Sequence, residues 1–182
     1  MEAEKLSSWN RLTGILNKDV MIFAIAGICY AFFAIIPMCG WLSSIGLVGL
    51  TVGLTAFYLR LGDLAALAEE ADAASLKKLA LGVLIFIGGI AISNIPVIGG
   101  FLGAAASVVA FVFMFMAFGA LKASASFPGA EGAKLLSIAC IIGIAAAVLF
   151  AIPVVGIVGK LAYVAAFILF IMGWKKIAAP AA

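Results

Sequence analysis

Three stretches of this chain carry no charged residue: Val20 to Leu59, Leu79 to Leu121 and Leu135 to Gly159. The first two are about twice the roughly 20 residues that one membrane-spanning helix needs. After Lys160 the third resumes as far as Trp174. Each is broken near its middle by the same short turn. Ile36-Pro37-Met38-Cys39-Gly40, Ile95-Pro96-Val97-Ile98-Gly99 and Ile152-Pro153-Val154-Val155-Gly156 set their prolines 59 and 57 residues apart. Long apolar runs that reverse at a shared turn predict an all-α polytopic membrane protein. Its six transmembrane helices, near 20–36, 41–59, 79–95, 100–121, 135–152 and 156–174, form three tandem antiparallel hairpin repeats.

Composition excludes the competing classes. The chain is 67% hydrophobic and 10% charged, against about 45–50% apolar and about 25% charged for soluble domains. A membrane β-barrel would alternate apolar and polar residues over about ten positions, whereas these runs are continuously apolar. The expected organisation is an amphipathic N-terminal segment (1–19), hairpins over 20–60, 79–121 and 135–176, charged connections over 61–78 and 122–134, and a tail from 177 to 182. The acidic start Met1-Glu2-Ala3-Glu4 is unlike a secretory signal, so the first helix is expected to serve as an uncleaved anchor.

The turn residues have a physical reading. Proline fixes φ and lacks an amide hydrogen, so Pro37, Pro96 and Pro153 are expected in the first turn of each returning helix. Each also drives the preceding isoleucine out of helical geometry. Gly40, Gly99 and Gly156 are expected to supply close backbone approach or an unusual dihedral angle. Further along the returning helices, Gly46, Gly49, Gly53, Gly103 and Gly159 fall at helical spacing with small neighbours. In lipid, where apolar burial drives little, such stripes let helices pack closely. Phe111, Phe113, Phe115, Met114 and Met116 are read as facing lipid or a partner.

The basic residues fix an expected orientation. Lys18, Lys77 and Lys134 each lie 19 residues before their proline, a helical rise of about 28 Å that matches the hydrocarbon thickness. Ten of the eleven Lys and Arg residues, and all eight acids, fall on the face away from the prolines. The positive-inside rule makes that face cytoplasmic, with both termini, and turns the Ile-Pro corners outward. A bacterial inner (plasma) membrane is the expected location. On the cytoplasmic side, Leu6, Trp9, Leu12 and Ile15 suggest a short interfacial helix over 5–17 with Trp9 at headgroup depth. Residues 61–76 read as a second interfacial helix or as an extension of helix 2.

The chemistry is sparse. No histidine occurs, which removes imidazole acid–base catalysis and His-ligated metal or haem. Cys29, Cys39 and Cys140 have no metal-ligand spacing and make no disulfide framework, so neither metal, cofactor nor catalytic residue is expected. Two polar residues stand apart. Lys160 is the single charge outside the cytoplasmic set; it reads as a snorkelling lysine, or as a cation at the mouth of a pathway. Asn94, beside Pro96, is expected to cap the turn or to bond a neighbouring helix. The reading is a non-enzymatic accessory or assembly component. It would work through the lipid bilayer and a protein partner or second copy, with no nucleic acid; the alternative is a passive channel or facilitator for a small neutral, anionic or lipophilic solute.

Overall fold

A computed structural model describes residues 3–36, 38–96, 98–152 and 155–179. These residues form α1 (Ala3–Phe33), α2 (Gly40–Leu67), α3 (Glu70–Ser93), α4 (Gly99–Ala123), α5 (Ala130–Phe150) and α6 (Gly156–Ala178), with no strand among them. All six helices are long and apolar enough to cross a membrane. This is the structure an apolar chain must take in hydrocarbon, where each backbone amide and carbonyl needs a partner within its own segment. The chain is therefore an all-helical integral membrane protein in its architecture.

Each helix packs against its sequence neighbours, and α6 closes on α1. Helices across the ring make no backbone approach among the described residues. The result is a ring of six helices whose axis must be filled by side chains. Packing is most extensive within the pairs α1–α2, α3–α4 and α5–α6, and thinnest between α2 and α3.

Glycine sets the separation within the pairs. A Cβ on Gly53 would lie 2.7 Å from the backbone nitrogen of Phe23, and one on Gly46 would lie 2.6 Å from that of Tyr30. Gly159 stands in the same relation to Phe150, and Gly103 approaches Ser93 and the Gly89 carbonyl. Gly49 meets only the Ala26 methyl, at 3.0 Å.

Pro96 does not begin the returning helix. It lies in the turn, three residues ahead of α4, and the helix opens on Gly99. The reason is local bonding: Ile95 N–H is spent on Ile92 and Gly99 N–H on Ile95, so the corner is closed before α4 starts. Pro37 and Pro153 lie outside the described residues. No glycine takes a positive φ; that geometry falls on Met38, at 69°. Gly99 is tightly enclosed by the carbonyls of Ile92 and Ser93, whereas Gly40 faces open space and Gly156 makes only an ordinary contact.

At the charged end the helices overrun their expected limits. α1 is 31 residues long, about 46 Å, well beyond the roughly 30 Å of hydrocarbon. The separate interfacial helix expected over 5–17 is instead the first half of α1. Its buried face is Trp9, Thr13, Leu16 and Val20, a stripe that continues directly into the apolar run. Trp9 is buried against Phe127 from the α4–α5 connection, 5.8 Å between ring centroids. Thr13, polar in sequence, is buried because its hydroxyl donates to the Trp9 carbonyl. Over residues 61–76 the extension of helix 2 holds as far as Leu67, and no separate interfacial helix forms. α2 continues to Leu67, the chain breaks at Ala68 and Glu69, and α3 begins at Glu70.

Two buried carboxylates pin this end. Asp19 on α1 is paired with Arg60 on α2. Asp72 on α3 accepts a hydrogen bond from Ser126, 2.7 Å away across the bundle. Asp19 sits immediately before the first charge-free run and Asp72 in the first turn of α3, and the desolvation of each is offset by a protein partner.

Candidate functional site

The axis of the ring is filled in one half and hollow in the other. Every one of the largest fully buried side chains lies towards the charged end, among them Trp9, Phe57, Leu76, Phe118, Leu136 and Trp174. The uppermost of them, Phe57, Phe118 and Trp174, belong to a set of linked aromatic rings that crosses the axis. Phe23 meets Phe57, Phe167 and Phe170, with centroids 5.6, 6.5 and 6.2 Å away. Phe57 abuts Trp174, and Phe170 abuts Phe118. On the other side Phe167 stacks on Tyr163, which leads through Phe111 to Phe86. Phe150 joins at Tyr163, so all six helices contribute a ring.

Glycine makes this crossing fit. A Cβ on Gly27 would fall 2.5 Å from the Phe167 ring, and one on Gly143 would fall 2.6 Å from Phe111. Phe111 and Met114 are accordingly buried in the core rather than facing outward, which corrects their expected placement; Phe113 and Phe115 are half-buried and Met116 is exposed.

Above Phe23, Phe57 and Phe170, towards the turns, is a cavity of about 220 Å³, walled in part by the upper rings Phe86, Phe150, Tyr163 and Phe167. All six helices supply its wall. Leu50 and Phe167 mark its depth, ten and eleven residues into α2 and α6; that is a descent of about 15 Å, half the hydrocarbon thickness. Asn94, Ser93 and Gly100 line it and are exposed, placing its mouth at the α3–α4 corner. The wall is mostly apolar, from Leu47, Phe86, Ile90 and Phe150.

Lys160 and Asn94, far apart in sequence, both line this cavity. Lys160 is half-buried, and its Nζ donates to the carbonyl of Ala34 at 2.9 Å. It therefore reaches the C-terminal end of neighbouring α1, where carbonyls lack helical partners and the helix dipole favours a cation. Asn94 bonds within its own helix, donating to Ile90 at 2.8 Å, and so closes the end of α3. The Ser93 hydroxyl is spent on the same carbonyl.

Three further polar residues complete the wall: Tyr30 on α1, Ser107 on α4 and Tyr163 on α6. Ser107 donates to Gly103 within its helix, and the Tyr163 hydroxyl lies beside it. A signal for these residues exists in the sequence. Of the three tyrosines, Tyr30 and Tyr163 fall inside apolar runs on the turn side of their helices. That they face inward depends on helix rotation, which the uniformly apolar runs leave unmarked. The packing positions Gly46, Gly49, Gly53 and Gly159 lie at helix contacts instead, while Gly103 belongs to both a contact and the wall. Chemically, the site offers one cation and phenolic hydroxyls within an apolar cup.

Compared with protein-family models, characterised proteins and solved structures, the chain matches none.

Proposed function

We propose that this chain is a non-enzymatic membrane component that works through its outer helix surfaces, as an accessory or assembly partner, and not as an open channel. The observation that carries this reading is the aromatic crossing of the axis below the cavity, where Phe23, Phe57, Phe170 and Phe118 of α1, α2, α6 and α4 are linked ring to ring. A conducting path for a hydrated solute needs a wet, polar lining, and here the axis is occupied by Phe23, Phe57, Phe167 and Phe170. The lack of histidine in the sequence adds support for a role without acid–base catalysis. Outside the ring, Ile22, Ile25, Val48, Val52 and Leu81 present apolar surface to lipid or to a partner helix.

In this reading the charged loops and both termini are cytoplasmic, in a plasma membrane of the bacterial inner type, and the Ile-Pro corners face outward. The excess of Lys and Arg beside the helix ends supports that orientation. Flux assays on purified protein in liposomes test the closed axis, with small neutral and anionic solutes expected at the rate of protein-free vesicles. Solute-selective flux well above that background would establish the facilitator instead. Stoichiometric co-purification of one protein from mild detergent is the expected outcome for an accessory role. Orientation is checked with an impermeant maleimide: Cys39 should label from outside intact cells, and a Ser124→Cys variant lacking the native cysteines only after lysis.

A further inference from the structure

The cavity at the turn end holds a cation whose charge no other described residue neutralises. Lys160 makes no ion pair among the described residues, and the ion pair found there, Asp19–Arg60, lies at the opposite end. An ammonium group has three donors, and the Ala34 carbonyl engages one of them. Lys160 sits about 6 Å along α6, inside the apolar run. A lysine at that depth ordinarily extends to the nearest interface. Here it reaches the Ala34 carbonyl, just beyond the turn-side end of neighbouring α1, and in that position it forms part of the cavity wall.

The cavity around it has a definite character. At about 220 Å³ it falls below the roughly 300–1,000 Å³ of sites that take drug-sized molecules. It is lined by Leu47, Leu50, Phe86 and Phe167 and closed beneath by the aromatic crossing. Its polar groups come from several helices: Lys160 and Tyr163 lie one helical turn apart on α6, Tyr30 is on neighbouring α1, and Ser93, Asn94 and Ser107 come from α3, its C-terminal end and α4. The hydroxyls of Ser93 and Ser107 are already spent on helix carbonyls, so they add no strong anchor.

We propose that this cavity binds one small amphipathic anion, with its carboxylate-sized head on Lys160 and its single apolar chain or ring lying against Leu50, Phe86 and Phe167. A head of opposite charge offsets the cost of holding the ammonium in an apolar wall, and an apolar tail replaces water that the wall hydrogen-bonds poorly. The volume admits one short chain and excludes a two-chain lipid. This site goes beyond the accessory role, which rests on the outer surfaces and would survive its loss.

Native mass spectrometry and thermal unfolding of the full chain in a non-ionic maltoside test the proposal, with decanoate as probe. One decanoate is expected per chain. Decanol, with the same tail and no charge, and acetate, with the head and no tail, should each bind at least about tenfold more weakly. Lys160→Met should lower decanoate affinity by about tenfold or more, and Lys160→Arg should retain it. Because Lys160 also caps α1, Ser107→Phe provides a second variant that fills the cavity and leaves the lysine in place; it should abolish decanoate binding. Undiminished decanoate binding in either Lys160→Met or Ser107→Phe would overturn the proposal. So would equal affinity for decanol, or a retained anionic phospholipid that decanoate fails to displace, which would assign the lysine to a lipid headgroup.

Discussion

At the scale of single residues, glycine has two different jobs in this bundle, and substitution separates them. Gly159 lies against backbone: an added methyl would meet the Phe150 nitrogen at 2.6 Å, so α5 and α6 must move apart. Gly159→Ala is expected to cost about 1–3 kcal/mol, as overpacking typically does, read as a lowered unfolding midpoint in detergent. Gly119, with open space around its Cα, is the control; Gly119→Ala should be neutral or slightly stabilising. Gly27 and Gly143 instead make room for rings that cross the axis, a role that spacing along one helix does not mark. Met38 shows the reverse case. It is 97% exposed and holds φ at 69°, a geometry that costs an L-residue about 1–2 kcal/mol. Met38→Gly should therefore raise thermal stability by about 1 kcal/mol, and an unchanged or lower midpoint would count against the strain.

At the scale of elements, the overlong α1 and α2 are held at the charged end by side chains that a membrane-span reading treats as loop. Trp9 is 2% exposed and packs on Phe127. Trp9→Ala should cost about 3–5 kcal/mol, the usual loss for a buried aromatic, and should expose the α4–α5 connection to protease. An interfacial tryptophan would give a far smaller effect. The Asp19–Arg60 pair makes a second test, of order rather than size. Removing the arginine alone strands a buried carboxylate, so Arg60→Leu should lower the unfolding midpoint more than the double replacement Asp19→Leu/Arg60→Leu. The legibility of these elements was uneven. The helix count, the turn positions and the apolar limits could be read from charge-free runs and prolines, because lipid forbids charge and unpaired backbone alike. The reach of α1 could not, since Thr13 and Asp19 look like surface residues until Trp9 and Arg60 satisfy them.

At the scale of the whole molecule, the ring is a cup with a dense base at the charged end and a hollow at the turn end. The aromatic crossing divides the two. Removing part of it should deepen the hollow without opening a path, because the packed base beneath remains: the double variant Phe23→Ala/Phe170→Ala is expected to lower the unfolding midpoint and to stay impermeable in the liposome assay. Leakage of small solutes through that variant would show that the base alone does not seal the axis. The hollow can be mapped separately. A cysteine at position 107 in a background lacking native cysteines should react with a maleimide added from the turn side, while Cys140, fully buried between helices, should not react in the native protein.

The sequence by itself determined the membrane, the six crossings and the corners, because these follow from where charge is absent and where proline interrupts a helix. It also isolated Lys160 and Asn94, as polar residues in runs that exclude polarity. Only the tertiary structure decided that the two share one cavity, that Tyr30 and Tyr163 join them, and that the axis beneath is shut by aromatic rings. The reason is rotational. A helix apolar on every side carries no record of which face turns inward. That choice is made by glycines that let neighbouring backbones approach and by rings that need their space.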